Sequence, residues 1–166
     1  MRFWGLCAAL LALGGIVMAQ APAPRADGNL NQVMRGILFP NSNLLFDVQS
    51  NDPETFGKRG SGGGASASYG GVYTGWMIVE NAAVALAEAT TLITVPGRMC
   101  ENGKPVPVNN DDYKKFAEGL RTAALEMLAA ARKKDRDAAT MATDTVATAC
   151  FDCHDKYRDV TDRCGA

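Results

Sequence analysis

The chain has 166 residues, with 17 Lys and Arg, 18 Asp and Glu and a single His, and its formal net charge is −1. This balance argues against a nucleic-acid-binding surface, because binding to phosphates needs an excess of positive charge. The length is that of one ordinary domain, so the chain can bury a single hydrophobic core.

The first 19 residues have the pattern of an export signal. Arg2 supplies the positive charge, an apolar stretch covers residues 3–17, and small residues ending at Ala19 suit a cleavage site. An uncleaved anchor is the alternative, but the stretch is too short for a transmembrane helix, and we expect no later run to span a bilayer. We therefore expect residues 1–19 to be a signal peptide, residues 20–26 a flexible leader, and the mature protein to be soluble and periplasmic.

The first helical pattern begins near Asp27, which can serve as its N-cap. Pro40 is expected to end or kink this helix. The apolar cluster at residues 44–48 is compatible with either a further helical turn or an extended segment. The first helical pattern consists of apolar residues that recur at helical spacing, at Leu30, Val33, Met34, Ile37 and Leu38.

Residues 50–71 contain seven glycines and are predicted to be a flexible loop, because such a composition buries too little surface to order itself.

Three further helical patterns follow, and no alternating apolar pattern typical of strands competes with them. Pro96 and Gly97 stop the first of the three. The patterns predict an all-α fold, an antiparallel up-down-up-down four-helix bundle formed by residues 27–166. The three helices are expected from about Val72 to Ile93, from the cap cluster at 109–112 to the basic residues at 132–136, and from Asp135 or Asp137 to about Arg158.

The segment Cys150-Phe151-Asp152-Cys153-His154 has the C-x-x-C-H spacing of covalent c-type haem attachment. Residues i, i+3 and i+4 share one face of a helix. Cys150 and Cys153 can therefore form thioethers with one haem, while His154 binds its iron as the proximal ligand. A zinc site would need a second Cys/His pair at a suitable spacing, and the sequence offers none. A thioredoxin-like dithiol would need an α/β pattern, which is also absent from the sequence. A simple disulfide between Cys150 and Cys153 remains an alternative.

His154 is the only histidine, which excludes a second haem of this kind and bis-His ligation within one chain. A sixth iron ligand would then be a methionine. In the predicted topology Met34 lies at the same end of the bundle as His154, so we expect Met34 to be that ligand. Met99, in a loop at the same end, is second, and simple core packing of Met34 is the alternative. The remaining methionines lie at the far end or on the helix of His154 itself: Met77, Met127 and Met141.

The start of the third helix lies at the same end and should supply the haem pocket, through Tyr113, Phe116 and Leu120. Arginines near this end are candidates for pairing with the haem propionates, with a solvated surface position as the alternative. These candidates are Arg35, Arg98 and Arg158.

Two cysteines of the mature chain, Cys100 and Cys164, are not used by the motif. They follow the second and fourth helices, which both run toward the haem end, and exported proteins rarely keep free thiols. We therefore expect a Cys100–Cys164 disulfide, with two unpaired cysteines or a bridge between subunits as alternatives.

The near-C-terminal Cys150-x-x-Cys153-His154, followed by Tyr157-Arg158 in an exported helical chain, resembles the class II cytochromes c. This family contains the cytochromes c′ and their low-spin relatives. The resemblance implies a four-helix bundle with haem near the C-terminus, and Val33-Met34-Arg35 resembles the segment that carries the Met ligand in low-spin members. The cytochromes c′ proper have five-coordinate iron that binds small gases. The Gly-rich loop, residues 39–43 and the extra cysteine pair mark a divergent member.

The first functional hypothesis is an exported monohaem electron carrier with low-spin iron bound by His154 and Met34. The alternatives are a five-coordinate protein that binds NO or CO, and a structural module in which Cys150 and Cys153 form only a disulfide. An enzyme is not expected, because no catalytic pair of carboxylates or nucleophile–histidine arrangement is recognisable. The expected partners are redox proteins and the cytochrome c maturation machinery, with a homodimer as an option that relatives use.

Overall fold

The computed structural model describes residues 24–58, 64–65, 71–158 and 164. The expected signal peptide and the first residues of the expected leader lie outside this part of the chain. Within the described ranges the chain is all helical and contains no strand, in agreement with the predicted fold class. One isolated β-bridge joins Met99 to Pro105 in the loop between the second and third helices.

The first helix, α1, consists of an α-helical turn at Leu30–Val33, a π-helical turn at Met34–Leu38 and an α-helix at Phe39–Ser50. It begins with a capping box, in which the Asn29 side chain accepts from the Gln32 amide at 2.8 Å and the Gln32 side chain accepts from the Asn29 amide at 2.9 Å. The predicted N-cap at Asp27 was therefore wrong, because Asn29 has the matching glutamine three residues later.

Pro40 does not end α1, contrary to the expectation from its sequence. The π turn ends at Leu38, two residues before the proline, and the Phe39 amide donates to the Met34 carbonyl five residues earlier. Such a widened turn accommodates a residue that has no N–H to donate. The side chains of residues 41–43 donate to the carbonyls of Ile37 and Phe39 at 2.7–3.0 Å. The helix continues, and the cluster at 44–48 is part of it.

The first residues of the loop expected over residues 50–71 have local structure and a contact with the core. Pro53–Thr55 form a 3-10 turn, and Phe56 is only 2% exposed. The Phe56 carbonyl accepts from the Gly75 amide at 2.9 Å. One aromatic side chain packed in the core therefore anchors a segment that its glycines alone would leave loose.

The other three helices begin and end close to the predicted positions. The second starts later than expected because Gly75, with φ of 62°, precedes it. Asp135 rather than Asp137 caps the fourth, since its side chain accepts from the Ala138 amide at 3.0 Å. The bounds are Trp76–Ile93 for α2, Asp111–Lys133 for α3 and Arg136–Tyr157 for α4.

The helices pack so that the start of α3 lies beside the end of α2. The Gln49 side chain near the end of α1 donates to Thr143 Oγ1 of α4 at 2.7 Å. Three polar contacts join α3 to α2 along their length: Arg132 Nε with Glu80 Oε2 at 3.9 Å, Arg121 Nη1 with the Ala87 carbonyl at 3.2 Å, and Tyr113 Oη with the Ile93 carbonyl at 3.1 Å.

By length and composition alone, the helix α2 could cross a membrane. The expectation that no apolar run after the signal peptide meets this criterion was therefore wrong. More than half of it is buried inside the protein. Its fully buried side chains include Val79 and Leu86. The apolar composition of α2 is therefore accounted for by its place in the hydrophobic core.

Candidate functional site

A cavity of about 550 Å³ lies where α1 begins and α4 ends. Its size falls within the range of small-molecule and cofactor sites, about 300–1,000 Å³. The walls include Met34, Leu38 and Phe46 from α1, Leu86 and Ile93 from α2, Tyr113, Phe116, Ala117 and Leu120 from α3, and Ala149, Cys150, Cys153 and His154 from α4. The structure thus brings seven of the residues predicted from the sequence around one cavity: Met34, Tyr113, Phe116, Leu120, Cys150, Cys153 and His154.

The three motif residues line the cavity from one face of α4, as their spacing requires. Cys150 and Cys153 are half-buried free thiols, so the alternative of a disulfide between them is absent from the structure. Burial raises the pKa of both thiols, and that of Cys153 reaches about 11. Both sulfurs are therefore protonated at neutral pH.

His154 lies beside Arg158 one helical turn later. Arg158 Nη1 is 3.0 Å from His154 Nδ1. A guanidinium group can only donate, so in this arrangement Nδ1 accepts and Nε2 carries the ring proton. A metal bound at Nε2 by the neutral imidazole would require the ring proton to lie on Nδ1, which could then no longer accept from Arg158. Arg158, a candidate partner of the propionates, also lines the cavity, but this guanidinium nitrogen is directed to His154.

Among the methionines in the described ranges, Met34 is the one on the cavity wall. It is half-buried at the start of the π turn and packs against the core. Met99, the second candidate, is 43% exposed and lies away from the wall. The structure therefore places Met34, and not Met99, around the same cavity as His154.

The aromatic side chains of α3 are held by Tyr157, which follows the motif. Tyr113 is 1% exposed, and burial raises its pKa. The Tyr157 ring meets Tyr113 edge-on at a centroid distance of 5.2 Å and Phe116 at 6.2 Å. These contacts fix the wall of the cavity that α3 contributes.

Behind this wall Asp112 joins the start of α3 to the end of α4. Its Oδ1 accepts from the Tyr157 hydroxyl at 2.7 Å, and its Oδ2 forms an ion pair with Lys156. The hydrogen bonds from Lys156 and Tyr157 lower the pKa of Asp112 to about 2. Sequence reasoning missed this residue as part of the site, because an aspartate in the first turn of a helix is adequately explained by the helix dipole.

The polar rim of the cavity contains Arg35 and Glu101, whose Nη1 and Oε1 atoms are 3.4 Å apart. The Asn31 side chain also donates to Glu101. The guanidinium of Arg35 is largely exposed and lies where an anionic group of a ligand could reach it. The sequence did not indicate Glu101 or Asn31, because their contacts join residues 70 positions apart.

Arg98 was expected to be a candidate partner of the propionates, and this was wrong. It is only 4% exposed. Its Nε donates to the Leu92 carbonyl at 2.8 Å and its Nη1 to the Gly28 carbonyl at 2.5 Å. Arg98 therefore joins the end of α2 to the residues before α1, instead of facing the cavity.

The predicted disulfide between Cys100 and Cys164 is present, with the two Cα atoms 5.1 Å apart. Cys164 also lies on the wall of the cavity. The bridge therefore brings the loop after α2 and the chain after α4 together beside the candidate site.

A family model described as Cytochrome C' matches residues 105–158, about a third of the chain. The matched part contains α3, α4 and the C-x-x-C-H motif, and it supports the class II cytochrome c family. It does not reach Met34 or Cys100. Comparisons with curated proteins and with solved structures find no match.

The residues around the cavity fit a covalently attached haem. Two free thiols three residues apart and the imidazole next to them face one space, and the other walls are mainly aliphatic and aromatic. This combination of donor atoms and apolar surface suits a flat macrocycle whose iron is bound from the α4 side.

Proposed function

We propose that the chain is an exported monohaem c-type cytochrome that carries electrons. Cys150 and Cys153 would hold the haem, His154 would bind its iron and Met34 would be the sixth ligand. The observation that carries the proposal is the placement of Met34 on the α1 wall of the cavity whose α4 wall contains His154. A thioether opposite an imidazole stabilises ferrous iron and raises the reduction potential, which suits a carrier.

Each part of the chain has a physical role in this proposal. The haem would supply one-electron exchange at its iron. The side chains of Tyr113, Phe116 and Leu120 would keep water away from the ring, since all three lie on the cavity wall. Arg35 at the rim would pair with a propionate, in competition with Glu101.

The proposal extends to topology and location. An antiparallel up-down-up-down bundle is supported by the contacts of α2 with α3 and of α1 with α4. Members of the matched family are typically exported, which agrees with the signal pattern of residues 1–19. We propose a periplasmic protein that exchanges electrons with redox partners and catalyses no reaction of its own.

An optical spectrum of the purified holoprotein tests the ligand set. We expect sharp low-spin bands on reduction of the wild type. Met34→Leu should make the ferric iron high-spin and open the ferrous iron to CO. Met141→Leu is the matched control, because Met141 is 66% exposed on α4, and it should leave the spectrum unchanged. A Met34→Leu spectrum identical to that of a low-spin wild type would remove Met34 from the ligand set.

A second candidate function, binding of NO or CO at five-coordinate iron, is favoured by the description of the matched family model as Cytochrome C'. In that case Met34 would be only a packing residue on the apolar wall. The wild type would then be high-spin before any substitution, and its ferrous form would bind CO as readily as that of Met34→Leu.

A further inference from the structure

The loop between α2 and α3, which covers residues 94–110 and is here called the bridge loop, holds the first turn of α1. The Leu30 amide donates to the Met99 carbonyl at 2.8 Å. Arg98 donates from its guanidinium to the Gly28 carbonyl at 2.5 Å. These bonds fix the backbone just before Met34.

The same loop also reaches the residue after Met34. Glu101 pairs with Arg35 at 3.4 Å and accepts from the Asn31 side chain. Met34 therefore lies between two α1 positions, Leu30 and Arg35, that are both held by the bridge loop. The position of the Met34 sulfur depends on this loop as well as on the packing of α1.

Cys100 stands in the bridge loop between the two residues that contact α1, Met99 and Glu101, and it is 3% exposed. Its disulfide partner, Cys164, is hydrogen-bonded to the end of α4 through its amide, which donates to the Tyr157 carbonyl at 3.2 Å. A covalent link thus connects the helix that carries His154 to the loop that holds the turn carrying Met34.

We propose that the Cys100–Cys164 disulfide is a redox-sensitive latch that holds Met34 on the cavity wall, where it would bind the iron held by His154. A dithiol would transfer two electrons and two protons to the bridge, so that its S–S bond breaks, Cys100 and Cys164 become thiols and the reductant becomes a disulfide. The opened bridge loop would release the first turn of α1, and Met34 would leave the iron more often. This inference rests on the proposed ligation by Met34, and it makes the sixth position of the iron dependent on thiol redox state.

The test compares the ferrous holoproteins of the wild type, Cys100→Ser/Cys164→Ser and Met34→Leu. The rate of CO association reports how often the sixth position is open. We expect the double variant to bind CO at least fivefold faster than the wild type and to approach the rate of Met34→Leu. Wild-type holoprotein treated with a dithiol should show the same increase, which keeps the test valid where the double variant folds poorly.

General destabilisation is separated from latch opening by Met127→Ala. Met127 is fully buried in α3. It does not line the cavity, and it is not part of the bridge loop. The variant weakens the core while leaving the disulfide in place. If Met127→Ala binds CO as slowly as the wild type, the result supports the latch. If its rate rises as much as that of the double variant, the result overturns the latch.

Amide hydrogen exchange of the apoprotein gives a readout that needs no haem. The amides of residues 30–38 should gain more in exchange rate from the double substitution than the amides of α2, whose gain reports the global loss of stability. A gain at residues 30–38 no larger than that in α2, or unchanged CO association beside a fast Met34→Leu, overturns the latch and leaves the proposed function intact. A wild type that is already high-spin overturns both.

Discussion

Tyr157 shows how much of the candidate site depends on single side chains outside the C-x-x-C-H motif. Its ring braces Tyr113 and Phe116 on the cavity wall, and its hydroxyl donates to Asp112 at 2.7 Å. Lys156 bonds the other oxygen of the same carboxylate. The residues directly after His154 therefore support the wall contributed by α3 and also clamp α3 to α4.

The Asp112 carboxylate makes a pH-dependent contribution to stability. Its pKa is lowered from 3.8 to about 2 by hydrogen bonds from Lys156 and Tyr157, so the stabilisation is present at pH above 4 and lost as the pH falls toward 2. Asp112→Asn should lower the free energy of unfolding at pH 6, and its difference from the wild type should shrink between pH 4 and pH 2. Urea unfolding at several pH values measures this.

Asp111→Asn is the control for the Asp112 experiment. The Asp111 side chain is fully exposed, and among the described residues its ion pair is with Lys114, at 3.7 Å. Such pairs contribute little to stability. Equal effects of the two substitutions at pH 6 would contradict the assignment of the clamp to Asp112.

At the scale of the elements, α1 differs most from its sequence pattern. The π turn at Met34–Leu38 allows the helix to continue past Pro40, and it carries both Met34 and Arg35 to the cavity. π turns within α-helices are frequent at functional sites. The helix that carries the proposed sixth ligand is therefore also the one with irregular backbone geometry.

The helix α3 has a glycine whose replacement should stabilise the protein. A Cβ atom at Gly119 would meet no heavy atom within 4 Å, apart from the backbone of its own helix. Gly119→Ala should raise the free energy of unfolding by about 1 kcal/mol, because alanine loses less backbone entropy in a helix. The measurement is urea unfolding of the holoprotein.

Gly57→Ala is the opposing control for Gly119→Ala. Gly57 has φ of +66°, and an added Cβ would collide with the Tyr73 carbonyl oxygen. We expect this substitution to destabilise the protein by more than about 1 kcal/mol. A stabilising Gly57→Ala, or a neutral Gly119→Ala, would contradict the two local geometries.

At the scale of the whole molecule, the end of the bundle near the cavity is closed by the bridge loop and not by helix packing alone. Val95, Val106 and Val108 of this loop are buried against the helices. Arg98 joins the loop to Gly28, just before α1, and the disulfide joins it to the chain after α4. Long-range contacts therefore hold together the end of the bundle where Met34 and His154 line the cavity.

Removal of the disulfide should have a large effect on global stability. Its cysteines are 64 residues apart, so the bond restricts the unfolded chain strongly. Cys100→Ser/Cys164→Ser should lower the free energy of unfolding by about 4 kcal/mol on the chain-entropy estimate. Urea unfolding under non-reducing conditions measures this loss. A difference below about 1 kcal/mol would contradict the claim that the disulfide stabilises the protein by restricting the unfolded chain.

The sequence by itself determined the helices of the fold and the face of α4 that carries Cys150, Cys153 and His154. These features follow from local rules, because apolar periodicity and the i, i+3, i+4 spacing need only one helix. The Cys100–Cys164 pair was also predictable, since few cysteines remained and both follow helices that run to the same end. The place of Met34 on the cavity wall was predictable for a similar reason, from helix direction and length.

Only the tertiary structure decided which residues complete the site. Pro40 is tolerated because neighbouring side chains bond to carbonyls of α1, and Phe56 orders a glycine-containing segment because the core has room for its ring. Arg98 turns to two carbonyls, and Glu101 reaches α1 across about 70 residues of sequence. Hydrogen-bond partners of this kind depend on which segments the fold brings together, and no local spacing in the sequence encodes them.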